Sequence, residues 1–284
     1  MSRTTATVLV SPTEAAEVPP VTAAPARRRP PLPVAAISAA TLSILVGLWS
    51  LAAWAGWVSS VFLPSPLAVL EALDLAARSG FADASLLQHT LASLSRVFGA
   101  LLAALLVGVP IGIAIATSRI GRGIFDPIVE VLRPLPPLAY LPLVIIWFGI
   151  GEASKILVIG LAMGPPIIIA TAAGVRSAST DRIRAARSLG ASPRDVLRFV
   201  VMPSAVPSIL TGVRIALGAG WSTLIAAELI AAPRGLGTMI QAAAGFLATD
   251  IVIAGIVVIA AIAILFEAAL RRLERRFVPW ATRL

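Results

Sequence analysis

The sequence has no cysteine and only one histidine among its 284 residues. The absence of cysteine excludes disulfides, thiolate metal sites and cysteine nucleophiles. His89 has neither a second metal ligand nor a positioned base beside it in the sequence, so we interpret it as a structural or interfacial residue. No segment matches the phosphate-binding pattern GxxxxGK[ST], so the chain does not bind ATP by that route. We therefore expect no catalytic residue, no metal site and no cofactor in this chain.

Charged residues are also scarce. They make up 13% of the chain, against roughly 25% in soluble domains, whereas 58% of the residues are hydrophobic and the mean hydropathy is +0.94. A water-soluble fold could not bury that much apolar surface, and each crossing of a bilayer needs about 20 predominantly apolar residues. Six runs are long enough to cross, at residues 34–58, 91–117, 124–149, 153–175, 204–231 and 250–272. The sequence therefore predicts an all-α membrane protein with about six transmembrane helices.

The chain divides into two predicted parts. Residues 1–33 are rich in proline, alanine, threonine and valine, and their apolar stretch is too short for the core of a signal peptide. We interpret them as a disordered cytoplasmic tail that precedes a transmembrane domain at 34–284. Between the first two apolar runs, residues 67–78 are predicted to form a short surface helix, which Ser65 caps and Pro66 begins.

Arginine is unevenly distributed over the two sides that six crossings define. An even number of crossings puts both termini on one side, which holds most of the basic residues, whereas the other side has only Arg78, Lys155 and Arg234. Because short cytoplasmic loops carry the excess of Lys and Arg, both termini are predicted to be cytoplasmic in a bacterial inner membrane. Topology thus explains the net charge of +9. We expect no nucleic-acid partner, since no aromatic residues alternate with the arginines to stack on bases.

The largest cytoplasmic connection, at 177–203, is predicted to form two short helices. Ser179 or Thr180 can cap the first helix, which ends before Gly190, a residue able to adopt the left-handed conformation common at helix ends. Ser192 caps the second helix, and Pro193 takes its first position. The segment is therefore expected to be a rigid, bent projection.

The first of these helices combines small and basic side chains. Ala185 and Ala186 would let a partner approach the backbone closely, and four arginines would offer positive charge to an acidic groove: Arg182, Arg184, Arg187 and Arg194. The alternative is a basic loop without a docking role, which occurs in many inner-membrane proteins.

The same connection resembles the EAA loop, E-A-A-x3-G-x9-I-x-L-P, of the permeases in binding-protein-dependent ABC transporters. The matching residues are Arg184, Ala185, Ala186, Gly190, Val200, Met202 and Pro203. In that family the loop carries the coupling helix, which inserts into a cleft of the ATP-binding subunit. The resemblance implies an ATPase-docking site at Arg182, Arg184, Ala185, Ala186, Gly190, Ser192, Pro193, Val200 and Pro203. Arg184 stands where the family has Glu, so the charge is reversed at that point.

The resemblance extends over roughly residues 60–280 and implies the type I ABC importer permease fold. Segments 63–66, 132–139, 146–152 and 172–177 are similar to the branch that imports taurine, alkanesulfonates and nitrate, and segments 182–186, 220–224 and 246–250 are most similar to its taurine members. The implied substrate is taurine, with aliphatic sulfonates or nitrate as alternatives. The implied partners are a second copy of the chain, two ATP-binding cassette subunits that bind ATP and Mg, and a periplasmic or lipid-anchored substrate-binding protein.

A few residues within or beside the apolar runs are candidates for the translocation pathway or its gate. Glu228 is the strongest, because a charge at the bilayer centre costs about 2.5 to 3.5 kcal/mol, although it could also meet water or Arg234 at the outer interface. Arg133, which lies among prolines, marks an interrupted helix that either lines a cavity or forms a kink. The remaining candidates are Trp221, Gly235 and Gly237, and the two glycines equally fit a simple turn.

The resemblance implies alternating access, in which ATP binding closes the ATPases, moves the coupling loops and reorients the helices. The competing hypothesis is a secondary transporter driven by an ion gradient, which needs a relay of intramembrane carboxylates or histidines. Only Glu228 and, near the cytoplasmic ends, Asp126, Glu130 and Glu267 are available, and no inverted repeat is evident. The sequence therefore favours a non-catalytic importer permease.

Overall fold

The computed structural model describes residues 34–278, so the predicted tail at 1–33 lies outside the described residues. Within this range the regular elements are all helical. They are α1 (Val34–Trp54), α2 (Pro66–Arg78), α3 (Leu86–Thr117), α4 (Arg119–Leu132), α5 (Pro137–Phe148), α6 (Glu152–Arg176), α7 (Thr180–Ser188), α8 (Pro193–Val196), a π-helical segment (Leu197–Val201), α9 (Met202–Ala231), α10 (Leu236–Gly245) and α11 (Thr249–Phe277). One unit ends at Leu45 and a second begins at Val46, and the second contains every element from α2 onward.

The run at 124–149 is not one helix. The chain forms α4 up to Leu132 and α5 from Pro137, and the two are bent by 107°. Pro134 and Pro136 have no N–H to donate, and Pro136 has the extended backbone that precedes α5. The interruption predicted around Arg133 is therefore confirmed, and the run counts toward the six predicted spans only as this bent pair. Among residues 34–278, five other helices are long and apolar enough to cross a membrane, which makes six if the bent pair is one span.

Helices α3 and α6 run parallel and pack closely. Gly99 of α3 lies against Ile156 of α6, and Gly112, further along α3, lies against Thr171. Glycine at these crossings lets the two backbones approach, which is the usual means of close helix packing in a bilayer. The pairings fix the register of the two helices along their whole shared length.

Helix α9 runs antiparallel to α6. Gly174, near the end of α6, lies against Ala205 near the start of α9, and Met163 lies against Gly220 further along α9. The C-termini of α3 and α6 therefore meet the N-terminus of α9 at the end that carries α7 and α8, here named the α7–α8 end. The opposite end, where α9 leads into α10, is named the α10 end.

The surface helix predicted after Ser65 is confirmed. The Ser65 hydroxyl accepts a hydrogen bond from the backbone N–H of Ala68 at 3.1 Å, and Pro66 begins α2. Ala72 of α2 is buried against Ala243 of α10 and Ile251 of α11. This helix therefore belongs to the packing of the α10 end.

We expect Gly112→Ala to destabilise the protein. The added methyl group would lie 2.6 Å from Cβ of Thr171 and 2.7 Å from the carbonyl oxygen of Ile168, so α3 and α6 would have to separate. Overpacking of this kind costs about 1 to 3 kcal/mol, and it should appear as a lower melting temperature in detergent. Gly218→Ala on α9 is the matched control, because among the described residues no atom of another helix lies within 4 Å of its added methyl. Equal melting of the two variants would contradict the packing.

Candidate functional site

The segment from Ser177 to Pro203 forms the two capped helices that its sequence predicts. The Ser179 hydroxyl accepts from the backbone N–H of Arg182 at the start of α7, and Gly190 turns the chain with a φ of +86° after it. Ser192 and Asp195 form a reciprocal capping box around Pro193 at the start of α8. The caps are local interactions between neighbours in the sequence, which is why residue types alone located them.

A π-helical segment joins α8 to α9 without an intervening loop. The backbone N–H of Met202 donates to the carbonyl of Leu197, five residues back, and Pro203 then adds a residue without an N–H. Such wide turns are rare. The predicted docking loop ends at Pro203, and its direct continuation into the long helix α9 was not predicted from the sequence.

The two faces of α7 differ in their surroundings. Ala186 and Ile183 pack against a buried cluster at the α7–α8 end, which comprises Val175, Ala178, Val196, Val201 and Ala205. Ala185 is exposed, and the side chain of Leu189, at the end of α7, is 89% exposed. Thus only Ala185 of the two predicted small residues faces away from the helices. Leu189 was not among the predicted docking residues. An apolar side chain just before Gly190, in an otherwise polar tip, was the signal in the sequence that could have identified it.

The remaining predicted docking residues are spread over this projection. Arg182, Arg184, Ser192 and Pro193 are exposed, whereas Val200 and Pro203 are half-buried. The exposed surface is strongly basic, because Arg187 and Arg194 are exposed as well. Positive charge, small side chains and one exposed leucine therefore occupy the same tip.

A buried cluster of charged side chains lies at the α10 end. Arg96 of α3 forms ion pairs with Glu228 of α9 at 2.6 Å and with Glu152 of α6 at 2.6 Å. Lys155 of α6 pairs with the same Glu152 at 3.0 Å. The side chains of Arg96, Lys155 and Glu228 are 3%, 2% and 0% exposed, whereas that of Glu152 is 53% exposed. These contacts join the ends of three helices that the glycine crossings bring together.

Glu228 has hydrogen-bond partners on both carboxylate oxygens. Ser93 donates to Oε1 at 2.7 Å, and the backbone N–H of Gly237, at the start of α10, donates to Oε2 at 2.8 Å. Arg96 also donates to the backbone carbonyl of Arg234 at 2.7 Å. The interpretation of Glu228 as a residue that meets water or the Arg234 side chain is therefore wrong, because its charge is neutralised inside the protein.

The turn before α10 depends on glycine and on His89. Gly235 has a φ of +153°, and a methyl group added there would overlap the Glu228 carboxylate. The backbone N–H of Gly235 donates to Nδ1 of His89 at 3.1 Å, and Nε2 lies 2.8 Å from the carbonyl oxygen of Phe81. Nδ1 also lies 2.9 Å from the carbonyl oxygen of Gly235, so both ring nitrogens hold the imidazole between the Gly235 turn and Phe81. The structural interpretation of His89 is confirmed.

Only part of this charged cluster could be predicted from the sequence. Arg96 and Glu228 are both charges within apolar runs, and such groups usually pair with each other or face water. They are 132 positions apart, however, so their pairing depends on the register of α3, α6 and α9. Lys155, which the sequence analysis placed on the outer side, and Glu152 join the same cluster.

Arg133 and Trp221 lie away from this cluster. Arg133 follows the last residue of α4 and lines a cavity between the α4–α5 bend, α6 and α9. Trp221 of α9 stacks near Phe266 of α11, with ring centroids 6.3 Å apart, and lines a separate cavity beside Arg214. The structure therefore divides the predicted pathway residues into a buried group at the α10 end and two cavity-lining residues.

Residues 108–279 match the family described as the binding-protein-dependent transport system inner membrane component. The taurine transport system permease protein TauC of Escherichia coli (strain K12) is 58% identical over 245 residues, which cover 86% of this chain and 89% of TauC. The putative aliphatic sulfonates transport permease protein SsuC of the same strain is 38% identical over 244 residues, covering 83% and 88%. The nitrate import permease protein NrtB of Synechocystis sp. is 33% identical over 266 residues, covering 90% and 95%.

The helical arrangement has a counterpart among solved structures. An inward-facing conformation of the MetNI methionine ABC transporter superposes with a TM-score of 0.60 at 22% identity, covering 68% of this chain and 95% of that one. At this identity the similarity shows the fold alone. The importer-permease fold expected from the sequence is confirmed.

We expect loss of one partner of the buried ion pair to cost more than loss of both. Glu228→Met should leave the Arg96 charge under-neutralised and destabilise the protein by about 3 to 5 kcal/mol, whereas Arg96→Met combined with Glu228→Met should recover part of that loss. Melting in detergent measures both effects. Asp74→Asn, which breaks the exposed Arg78–Asp74 pair, is the control and should change stability little. Strictly additive losses would show that Arg96 and Glu228 do not act as a pair.

Proposed function

The chain belongs to the inner membrane components of binding-protein-dependent transport systems, and we propose that it forms the taurine-conducting path of an ATP-driven importer. The observation that carries the choice of substrate is the 58% identity to TauC over 86% of the chain. Aliphatic sulfonates and nitrate are the alternatives, at 38% and 33% identity to SsuC and NrtB. The relatives are named as permeases, so the chain contributes a path through the membrane and the chemistry of ATP belongs to a partner.

The ATPase docks on the exposed tip of α7 and α8. Ala185 and Leu189 provide the apolar contact, and the turn at Gly190 fixes their direction. The surrounding arginines are matched to an acidic cleft, and Arg184, in place of the family's Glu, requires a partner surface with a carboxylate or a neutral group opposite it. Since exposed charges are screened by salt, docking should weaken as ionic strength rises.

The working assembly contains two copies of this chain, two ATP-binding cassette subunits and a substrate-binding protein on the outer side. ATP and Mg bind the cassette subunits, and both termini of the permease are cytoplasmic, as the arginine distribution predicts. Closure of the ATPases moves the docking tips, and α9, which begins directly after the π-helical segment, carries the motion toward the α10 end.

Closure of the outer end depends on the buried charge cluster. Glu228, Gly235 and Gly237 act as gate residues by holding the turn before α10 against α3, and they do not line the path themselves. The pairing also argues against an ion-driven transporter, because the intramembrane carboxylate that such a relay would need is held in an ion pair with Arg96.

We expect Leu189→Asp to abolish ATPase docking while leaving the permease in the membrane. The change places a carboxylate at the apolar centre of the contact, where desolvation makes it costly. Copurification of the ATPase subunit with a tagged permease measures docking, and Leu189→Met, which keeps an apolar side chain of similar size, should retain it. Normal copurification with Leu189→Asp would remove α7 from the docking surface.

The substrate assignment is tested by ATPase activity in nanodiscs that contain the permease and its ATPase. A binding protein loaded with taurine should stimulate hydrolysis more than the same preparation loaded with an aliphatic sulfonate or with nitrate. If only a binding protein loaded with a different substrate stimulated hydrolysis, the importer class would stand and the assignment of taurine as the substrate would be overturned. A lack of any stimulation, together with a lack of copurification, would overturn the importer complex for this chain.

A further inference from the structure

An arginine lies beside a cavity at the middle of the helical bundle. Among the residues that the structure describes, Arg133 and Tyr140 are the only polar side chains that line a 460 Å³ cavity, whose other walls are apolar residues of the α4–α5 bend, α6 and α9. Pro165, in the wall formed by α6, lies roughly 17 to 20 Å from either end of that helix at 1.5 Å per residue. The cavity therefore sits about half-way across the membrane-spanning part.

Arg133 has no ion-pair partner among residues 34–278. A guanidinium at this depth is costly unless it meets protein or water, and such residues usually mark a substrate or ion pathway. The start of α5 borders the same cavity at Pro137, and no side chain caps it. The positive end of that helix dipole adds to the field of Arg133, so the cavity attracts anions.

The opposite wall offers hydrogen-bond acceptors. Pro165 and Pro166 have no N–H, so the carbonyls of Leu161 and Ala162, four residues earlier in α6, lack their usual helical donor. All four residues line this cavity. Inside a membrane, carbonyl groups that lack a helical hydrogen bond because of a proline are tolerated where they face a cavity or have other donors. They are suited to accept hydrogen bonds from an ammonium group.

We propose that this cavity is a substrate subsite for a small aminosulfonate, with Arg133 as the residue that binds the sulfonate. The proposal rests on the proposed function and extends it to a site within the permease. A guanidinium matches the oxyanion in a two-pronged arrangement, and the Tyr140 hydroxyl can donate a further bond. The carbonyls of Leu161 and Ala162 accept from the ammonium at the other end of the substrate.

The two ends of the site predict different substrate dependence. An anion without an ammonium group would use only Arg133 and Tyr140, whereas a zwitterion such as taurine would also use the α6 carbonyls.

A smaller cavity of 170 Å³ adjoins on the side toward the α7–α8 end, where Arg133 is joined by Asp126, Glu130 and Arg176. Arg133 thus borders both spaces along one path.

The test is ligand-induced stabilisation of the permease–ATPase complex in detergent, without a binding protein. The probes are taurine and ethanesulfonate, which carries the sulfonate but no ammonium. We expect both to raise the melting temperature of the unmodified complex, taurine at lower concentration. Arg133→Gln should weaken the apparent affinity for both probes by about 10- to 100-fold, because a charge-assisted contact is lost. Arg119→Gln replaces an exposed arginine at the other end of α4 that lines neither cavity, and it should change the affinity for neither probe.

A second variant separates binding of the ammonium from a general structural effect. Pro166→Ala provides an N–H that can donate to the Ala162 carbonyl. It should weaken the apparent affinity for taurine and leave that for ethanesulfonate unchanged. Equal affinities in the unmodified complex and in Arg133→Gln would overturn the subsite. Stabilisation by phosphatidylglycerol, with none by either sulfonate, would instead make Arg133 a lipid-headgroup contact and also overturn it.

The outcomes distinguish the subsite from the proposed function. If a taurine-loaded binding protein stimulates the ATPase of Arg133→Gln as strongly as that of the unmodified complex, and taurine stabilises both equally, taurine import stands and the subsite fails. If the unmodified complex is stimulated only by a nitrate-loaded protein, and nitrate alone stabilises it, the taurine assignment and the aminosulfonate site fail together.

Discussion

The ion pair between Arg96 and Glu228 joins elements that are far apart in the sequence and fixes how they meet. Its charges are buried where water cannot compensate them, so each must have the other as a partner. That requirement sets the register of α3 against α9, and Glu152 extends it to α6. The same carboxylate holds the first turn of α10 through Gly237, so the α10 end of the bundle is defined by one set of contacts.

The opposite end is organised by local interactions. Ser179, Gly190 and the Ser192–Asp195 capping box shape the tip formed by α7 and α8 with contacts that span only a few residues. The two ends are connected by α9, whose 30 residues extend about 45 Å at 1.5 Å per residue. An importer of this kind must transmit motion over that distance, and a single continuous helix with a fixed anchor at its far end is a physical means of doing so.

The sequence predicted these two ends unequally, for a physical reason. Caps and turn glycines could be located because their partners are near in the chain, and the apolar runs could be located because a bilayer imposes their length. The partner of Arg96 could not be identified, because it depends on helix crossings that only the packing of Gly112 and Gly220 reveals. The bend between α4 and α5 was indicated by prolines, but neither its angle nor the cavity beside Arg133 follows from them.

The π-helical segment between α8 and α9 constrains how the tip formed by α7 and α8 can evolve. In an α-helix each residue turns the chain by about 100°, and residues 197–201 complete their turn with a hydrogen bond that reaches one residue further than usual. These five residues therefore determine the direction in which the tip projects around the axis of α9. A single-residue insertion or deletion there would swing the basic face of α7 by more than a quarter of a revolution, so the length of this segment is constrained more tightly than its composition.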